Sequence, residues 1–247
     1  MTEAKDLVLS GPSFVPEGKV GHAVVFFHGY GENGHDLYGL SSFLKWSFPD
    51  TAFYFPNAPE PVFGAEIFGG RQWFDLSAYN PSDMESDKSA LEKFCRSVLP
   101  AAERARKYTD RFVTQVREIH GLEASDTAIA GFSQGGMMAL LTALKYPQKV
   151  AAVVGMSALP VVFDDKFFPL ADVVSKPDVT LTHGDADDVV PLPAYLLNLE
   201  NMDKAGVPAA GFVVEELMHG IDETVMFHLK SALRAGFGIG QGLSEGG

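Results

Sequence analysis

Six apolar runs punctuate the chain: HAVVFFH (22–28), TAFYF (51–55), TAIAGF (127–132), VAAVVGMS (150–157), VTLTH (179–183) and GFVVEEL (211–217). They are too short for buried helices and lack the alternation of a half-exposed strand. That pattern predicts strands covered on both faces, as in a parallel sheet. Between them lie segments of helical period: HDLYGLSSFLKW, a long stretch from about Asp83 to His120, QGGMMALLTALKY, LPAYLLNLENMDKAG and IDETVMFHLKSALRAG. Pro100 falls inside the long stretch and is expected to break or start a helix there. Strand and helix alternate without a change of composition and without internal repeats. The expectation is a single α/β domain over residues 1–238, a mainly parallel open sheet with helices on both faces and no large cap domain. Residues 239–247 read as a glycine-rich flexible tail.

Composition removes several classes of function. The chain has 247 residues, 46% of them hydrophobic, which suffices for a sizeable core. Its formal net charge of −13 argues against a nucleic-acid partner and against docking on an anionic membrane. No apolar run reaches the length of a membrane span, and the N-terminus lacks a basic segment followed by an apolar one, so a cytoplasmic location is expected. The single cysteine, Cys95, rules out an internal disulfide. It repeats with Leu91, Phe94 and Val98 on one helical stripe, so it reads as a small core hydrophobe and not a nucleophile.

Open parallel sheets place their ligands at the carboxyl ends of their strands, and that is where the polar chemistry of this chain collects. TAIAGF runs through GFSQGG (131–136) straight into a helical segment. A G-x-S-x-G stretch at a strand-to-helix turn presents its serine, Ser133, at the helix N-terminus, with Gly131 and Gly135 leaving room for strand and helix to pass closely. The plainer reading of Ser133 is a helix N-cap; the double glycine favours a nucleophile. A serine needs a base, and the base an orienting acid. His28 and His183 end strands, and His120 and His228 lie in helical segments. His219, in a short loop just past the last strand, is the best-placed base. In this architecture the acid lies between the two in sequence, which points to HGDADDVVP (183–191) and leaves Asp185, Asp187 and Asp188. An EF-hand reading of that stretch fails, because Val190 falls where the turn glycine belongs and Leu196 where the bidentate glutamate belongs. The first strand ends in FFHGYGENG (26–34), whose glycines let the backbone wrap round the site. The N–H groups of Tyr30 and Gln134 would there form an oxyanion hole.

Six stretches in this order, FFHGYGENG, FPNAPEP (55–61), RQWFD (71–75), GFSQGG, HGDADDVVP and the late MHG, resemble the carboxylesterase/phospholipase family of α/β-hydrolases, which includes acyl-protein thioesterases and small bacterial carboxylesterases. The resemblance implies the α/β-hydrolase fold and a triad of Ser133, Asp187 and His219, with Tyr30 and Gln134 as oxyanion donors. Asp185 is then expected to make a local Asx-type turn and Asp188 to face solvent. Many family members carry proline after the catalytic aspartate where this chain has Asp188, and the histidine region reads ELMHGID here. GAEIFGG (64–70) and VVFDDKFFPLADV (161–173) fall where acyl pockets vary within the family.

The resulting expectation is a serine carboxylesterase acting on small-molecule esters of short to medium acyl chain, with no cofactor and no metal. Phe63, Phe68, Trp73, Phe163 and Phe168 are candidates for an apolar substrate pocket, and Asp75 for a structural hydrogen-bond acceptor. The rival within the class is an acyl-protein thioesterase or lysophospholipase acting on long acyl chains. A non-catalytic binding module of the same fold is disfavoured because no triad member is missing, and a peptidase because no further domain gates peptides. Exposed aromatics round a pocket and a homodimer face read alike in sequence, so a homodimer stays open.

Overall fold

The computed structural model describes residues 7–64, 69–85, 87–163 and 172–240. The strands are β1 (Ser13–Phe14), β2 (His22–Phe27), β3 (Thr51–Tyr54), β4 (Glu60–Pro61), β5 (Arg71–Gln72), β6 (Thr127–Phe132), β7 (Val153–Met156), β8 (Val179–Gly184) and β9 (Ala209–Val214). The helices are α1 (Gly34–Tyr38), α2 (Leu40–Leu44), α3 (Pro81–Glu85), α4 (Lys88–His120), α5 (Gln134–Lys145), α6 (Leu192–Lys204) and α7 (Glu223–Gly236).

Seven strands form one sheet in the order β1-β3-β2-β6-β7-β8-β9. Every neighbouring pair is parallel except β1 with β3. Alternate side chains of the central strands feed two cores, as the pleat requires. Val25, Phe27 and Ile129 pack on one face with residues of α4, α5 and α6. Val24, Phe26, Ala130 and Met156 pack on the other with Leu37, Leu44 and the α7 residues Val225, Leu229 and Leu233. All six β6 residues are buried, which is why that strand reads as a continuous apolar run.

Three sequence expectations are corrected. Helix α4 continues through Pro100 for 33 residues. A proline inside a helix costs about 3 kcal/mol. The stripe that α4 buries, with Leu91, Phe94, Val98, Leu99 and Phe112 among it, contributes about 1.5–3 kcal/mol per large side chain and outweighs that cost. The last strand is not covered on both faces: β9 is exposed at its first five positions, because it is the sheet edge and pairs only with β8. The chain turns away at Glu215, so the strand ends three residues before Leu217. Finally, the expected tail begins on a packed residue, since Ile239 lies against the α7-side core; residues 241–247 lie outside the described residues.

No helix among the described residues is long and apolar enough to cross a membrane. Cys95 is a buried free thiol, and burial pushes its pKa upward, as a structural cysteine requires.

Candidate active site

Ser133 sits between β6 and α5 with φ 54° and ψ −120°. That backbone costs a non-glycine residue roughly 1–3 kcal/mol and persists only where the surroundings over-determine it. They do so here. The Ser133 N–H donates to the Met156 carbonyl (2.8 Å), and the Gly136 N–H donates back to the Ser133 carbonyl (2.9 Å). A Cβ on Gly131 would meet the Gly135 carbonyl oxygen at 2.0 Å, and one on Gly135 would meet the Phe27 carbonyl oxygen at 1.9 Å. The two glycines are therefore a steric requirement of the turn.

Asp187 and His219 come from the loops after β8 and β9. Those loops are stitched together by the Asp185 N–H to the Val214 carbonyl (3.0 Å) and the Ala186 N–H to the Leu217 carbonyl (3.2 Å). A Cβ on Gly184 would meet the Leu217 carbonyl oxygen at 2.0 Å, so the loops pack without a gap. The result places His219 Nδ1 2.8 Å from Asp187 Oδ2 and 3.1 Å from Oδ1. Asp187 Oδ1 also accepts the N–H groups of Val189 (3.0 Å) and Val190 (2.8 Å). Burial alone would raise the Asp187 pKa. The His219 hydrogen bond, the Val190 N–H and the nearby imidazoles outweigh it and hold the carboxyl below its ordinary range. An ionised Asp187 only accepts, so the His219 proton sits on Nδ1 and leaves Nε2 as the free lone pair. The Phe132 ring packs beside the imidazole at 4.6 Å between centroids.

The two other aspartates of the cluster have other places. Asp188 is exposed, in line with its expected solvent-facing position. Asp185 does not make the expected local turn. Its Oδ1 accepts the N–H of Glu216 (2.7 Å), a residue with φ 56°, and so fixes the turn leading to His219. The nearby His183 is buried and donates from Nε2 to the Val190 carbonyl (2.8 Å); burial pushes its pKa down, so it is a neutral strut.

Ser133, His219, Tyr30 and Gln134 line one cavity of about 450 Å³. No hydrogen bond joins Ser133 to His219 here, and the N–H groups of Tyr30 and Gln134 donate to no other described residue. The turn carrying Tyr30 is anchored by His28, whose Nε2 accepts the Ala58 N–H (2.9 Å) while Nδ1 donates to the Gly29 carbonyl (2.7 Å). Burial lowers the His28 pKa to about 4, so it stays neutral in this role. Gln134 is held by its side chain, which accepts the Trp73 N–H (3.0 Å) and donates to the Phe74 carbonyl (2.6 Å).

Three of the five aromatic residues expected in the pocket are elsewhere. Trp73 is 1% exposed and packs edge-on against Phe27, with its Nε1 donating to the His28 carbonyl (2.9 Å). Phe163 is buried under the Arg96 guanidinium, and Phe63 is 98% exposed. Phe68 and Phe168 lie outside the described residues, as do the greater parts of the two variable stretches. The cavity is instead walled by Leu76, Tyr79, Pro81, Met137, Leu159 and Val189. Asp75 accepts from the N–H and hydroxyl of Ser77, matching the structural role expected of it. Sequence reasoning passed over Glu32, which lines the same cavity and whose Oε2 accepts the Gly29 N–H (2.7 Å). Burial raises its pKa and Asp36 adds to the rise, while the Gly29 N–H and His219 oppose it. Its one signal was its place inside FFHGYGENG. Among the described residues, no group of three or more His, Cys, Asp and Glu side chains could hold a metal ion.

A mainly parallel sheet with a strained serine at a strand-to-helix turn, facing a cavity shared with an aspartate-bound histidine, defines an α/β-hydrolase. The chain belongs to the Phospholipase/Carboxylesterase family, whose model matches residues 14–236, and it is a serine-class ester hydrolase. It is similar to the solved esterase PE8, with 35% identity, a TM-score of 0.78, and coverage of 92% of this chain and 98% of that one. It also resembles acyl-protein thioesterase 1 of Saccharomyces cerevisiae, 28% identical over 179 residues, 68% of this chain and 71% of that protein. SOBER1 of Arabidopsis thaliana shares the fold at 20% identity and a TM-score of 0.66, over 87% of this chain and 98% of that one.

Proposed function

We propose that this chain is a carboxylesterase acting on small-molecule esters of short to medium acyl chain through an acyl-enzyme on Ser133. His219 Nε2 takes the proton as Ser133 Oγ attacks the acyl carbonyl. Asp187 holds the imidazole tautomer and stabilises the cation formed. The N–H groups of Tyr30 and Gln134 receive the oxyanion. His219 then protonates the leaving alcohol and afterwards activates the water that releases the acid. The observation that carries this reading is the 2.8 Å contact of His219 Nδ1 with Asp187, set in the cavity that Ser133 also lines. The likeness to esterase PE8 over nearly the whole chain supports it.

The rival, hydrolysis of long acyl chains or acyl thioesters, draws on the yeast relative, an acyl-protein thioesterase. One experiment separates the two: turnover of p-nitrophenyl esters from acetate to palmitate and of matched acyl thioesters, with intact mass after a serine-directed organophosphate. The expected result is an optimum at short to medium esters, with a single adduct on Ser133. An optimum at palmitate or at thioesters would hand the assignment to the rival, and absence of turnover and adduct would remove both.

A further inference from the structure

We propose that Glu32 is a positioning residue that holds the Tyr30 peptide in place as oxyanion donor. This inference rests on the assignment of Tyr30 to that role. Four residues, Gly29 to Glu32, form the turn after β2. Its ends are closed by the Glu32 N–H to the Gly29 carbonyl (3.4 Å) and, in the opposite sense, by the Gly29 N–H to Glu32 Oε2 (2.7 Å). The first of these bonds is long. The second, to a carboxylate oxygen, is short. The carboxylate therefore clamps the inner side of the turn. The outer side is held by backbone alone, with Gly31 N–H to the Arg71 carbonyl and Arg71 N–H to the Glu32 carbonyl, both 2.9 Å. Tyr30 lies between the two clamps.

The space inside the turn shows how closely it is fitted to the nucleophile. A Cβ on Gly29 would stand 3.0 Å from Glu32 Oε2 and 3.4 Å from Ser133 Cβ. Glu32 Oε2 and Ser133 Cβ thus both border the space that a Gly29 side chain would fill. Releasing the Gly29 N–H leaves the first peptide of the turn held through its His28 carbonyl, which accepts from Trp73 Nε1, and the next N–H along is that of Tyr30. Oxyanion donors act through preorganised geometry, so displacement costs transition-state stabilisation and leaves ground-state binding in the apolar cavity untouched.

The test uses three variants of the full chain, with kcat and KM measured on an ester that the wild type turns over. Glu32→Gln keeps an oxygen at the same reach and should stay within about threefold of wild-type kcat. Glu32→Ala removes the acceptor, and Glu32→Asp draws it back by one methylene. Each should lower kcat by roughly tenfold to a hundredfold with KM nearly unchanged, short of the ~10²–10³ expected for loss of a whole donor. Should Glu32→Ala fail to fold, Glu32→Asp carries the same prediction. Wild-type kcat in Glu32→Asp, or a Glu32→Gln as impaired as Glu32→Asp, would overturn the inference, as would a loss confined to KM. The organophosphate adduct on wild-type Ser133 separates the two levels: without it the esterase assignment itself fails, whereas with it the variants judge Glu32 alone.

Discussion

The two walls of the cavity are built on different principles. On the side of the proposed triad, Ser133 and Asp187 are each pinned more than once: Ser133 by two backbone bonds and two glycines without room for a methyl group, and Asp187 by two N–H groups and an imidazole. Opposite it, Leu76, Tyr79 and Pro81 come from the connection between β5 and α4. Among the described residues, the only side-chain hydrogen bond from these three to the proposed triad side is the Tyr79 hydroxyl to the Val189 carbonyl (2.7 Å). Chemistry demands sub-ångström placement and receives redundancy, whereas a wall for apolar chains needs shape and tolerates play. On that contrast, substitutions at the proposed triad should change turnover by orders of magnitude, far more than they change stability. Those on the wall should change selectivity with little effect on the chemical step.

The largest effect is expected from Ser133→Ala. Its side chain makes no hydrogen bond that the fold depends on, so the melting temperature should stay within a few degrees while turnover falls by at least about 10⁴-fold. Steady-state kinetics beside a thermal melt reads both. A variant that kept wild-type turnover would remove Ser133 from the mechanism. Next comes Asp187→Asn, expected to cost about 10³–10⁴-fold, because an amide no longer enforces the Nδ1–H tautomer. Asp188→Asn should leave turnover unchanged. Asp185→Asn, which can still accept the Glu216 N–H, should lose only severalfold. A reversed ranking would move the acid.

Asp187 also makes a prediction in pH. Its carboxyl is held below its ordinary range in the folded chain, so ionisation stabilises the fold. That contribution is complete above the unfolded value of about 4 and is lost as pH falls through the depressed folded one. The melting-temperature gap between wild type and Asp187→Asn should therefore narrow on acidification from pH 6 to pH 2. A constant gap would mean that Asp187 carries no pH-linked stability.

The same contrast explains what could be read from the sequence. The Ser133 turn was legible because steric exclusion leaves glycine alone at Gly131 and Gly135, and that exclusion is written in residue identity. Asp187 could not be told from Asp185 by type or position alone. What separates them is which loop each one ties, and those ties reach across β8 and β9. The strands β1, β4 and β5 have two residues each, too short to show any period. The break expected at Pro100 failed because the buried face of α4 outweighs a local penalty. The wall was illegible for a further reason: loop residues carry no periodicity, and aromatic content drew attention to Trp73 and Phe163, which pack into the core. Glu32 stood in plain view, but its role depends on a turn closing back on Gly29.

On the wall, Tyr79→Phe should cost about 1 kcal/mol of stability, the usual net worth of one hydrogen bond. Burial keeps the Tyr79 pKa well above its ordinary value, so the hydroxyl remains a donor to Val189 at any working pH. Without that bond the wall is freer to yield. Turnover of a short ester should stay within about threefold, while the KM for longer acyl esters should fall relative to wild type. A large loss on the short ester would show that Tyr79 supports Asp187 through Val189 and not the wall alone.

The smallest effect sharpens the contrast from outside the cavity. Phe63 belongs to the loop aromatics that composition nominates for substrate binding, yet 98% of its surface is open to solvent. A side chain that buries almost nothing in the folded chain has almost nothing to lose on truncation, and surface substitutions of this kind stay within about 0.5 kcal/mol. Phe63→Ala should therefore match wild type in melting temperature, and in kcat and KM across the ester series. A rise in KM that grew with acyl length would show instead that the ring closes onto the chain once substrate is bound. The wall would then extend beyond Leu76, Tyr79 and Pro81 to include a part that forms only in the complex.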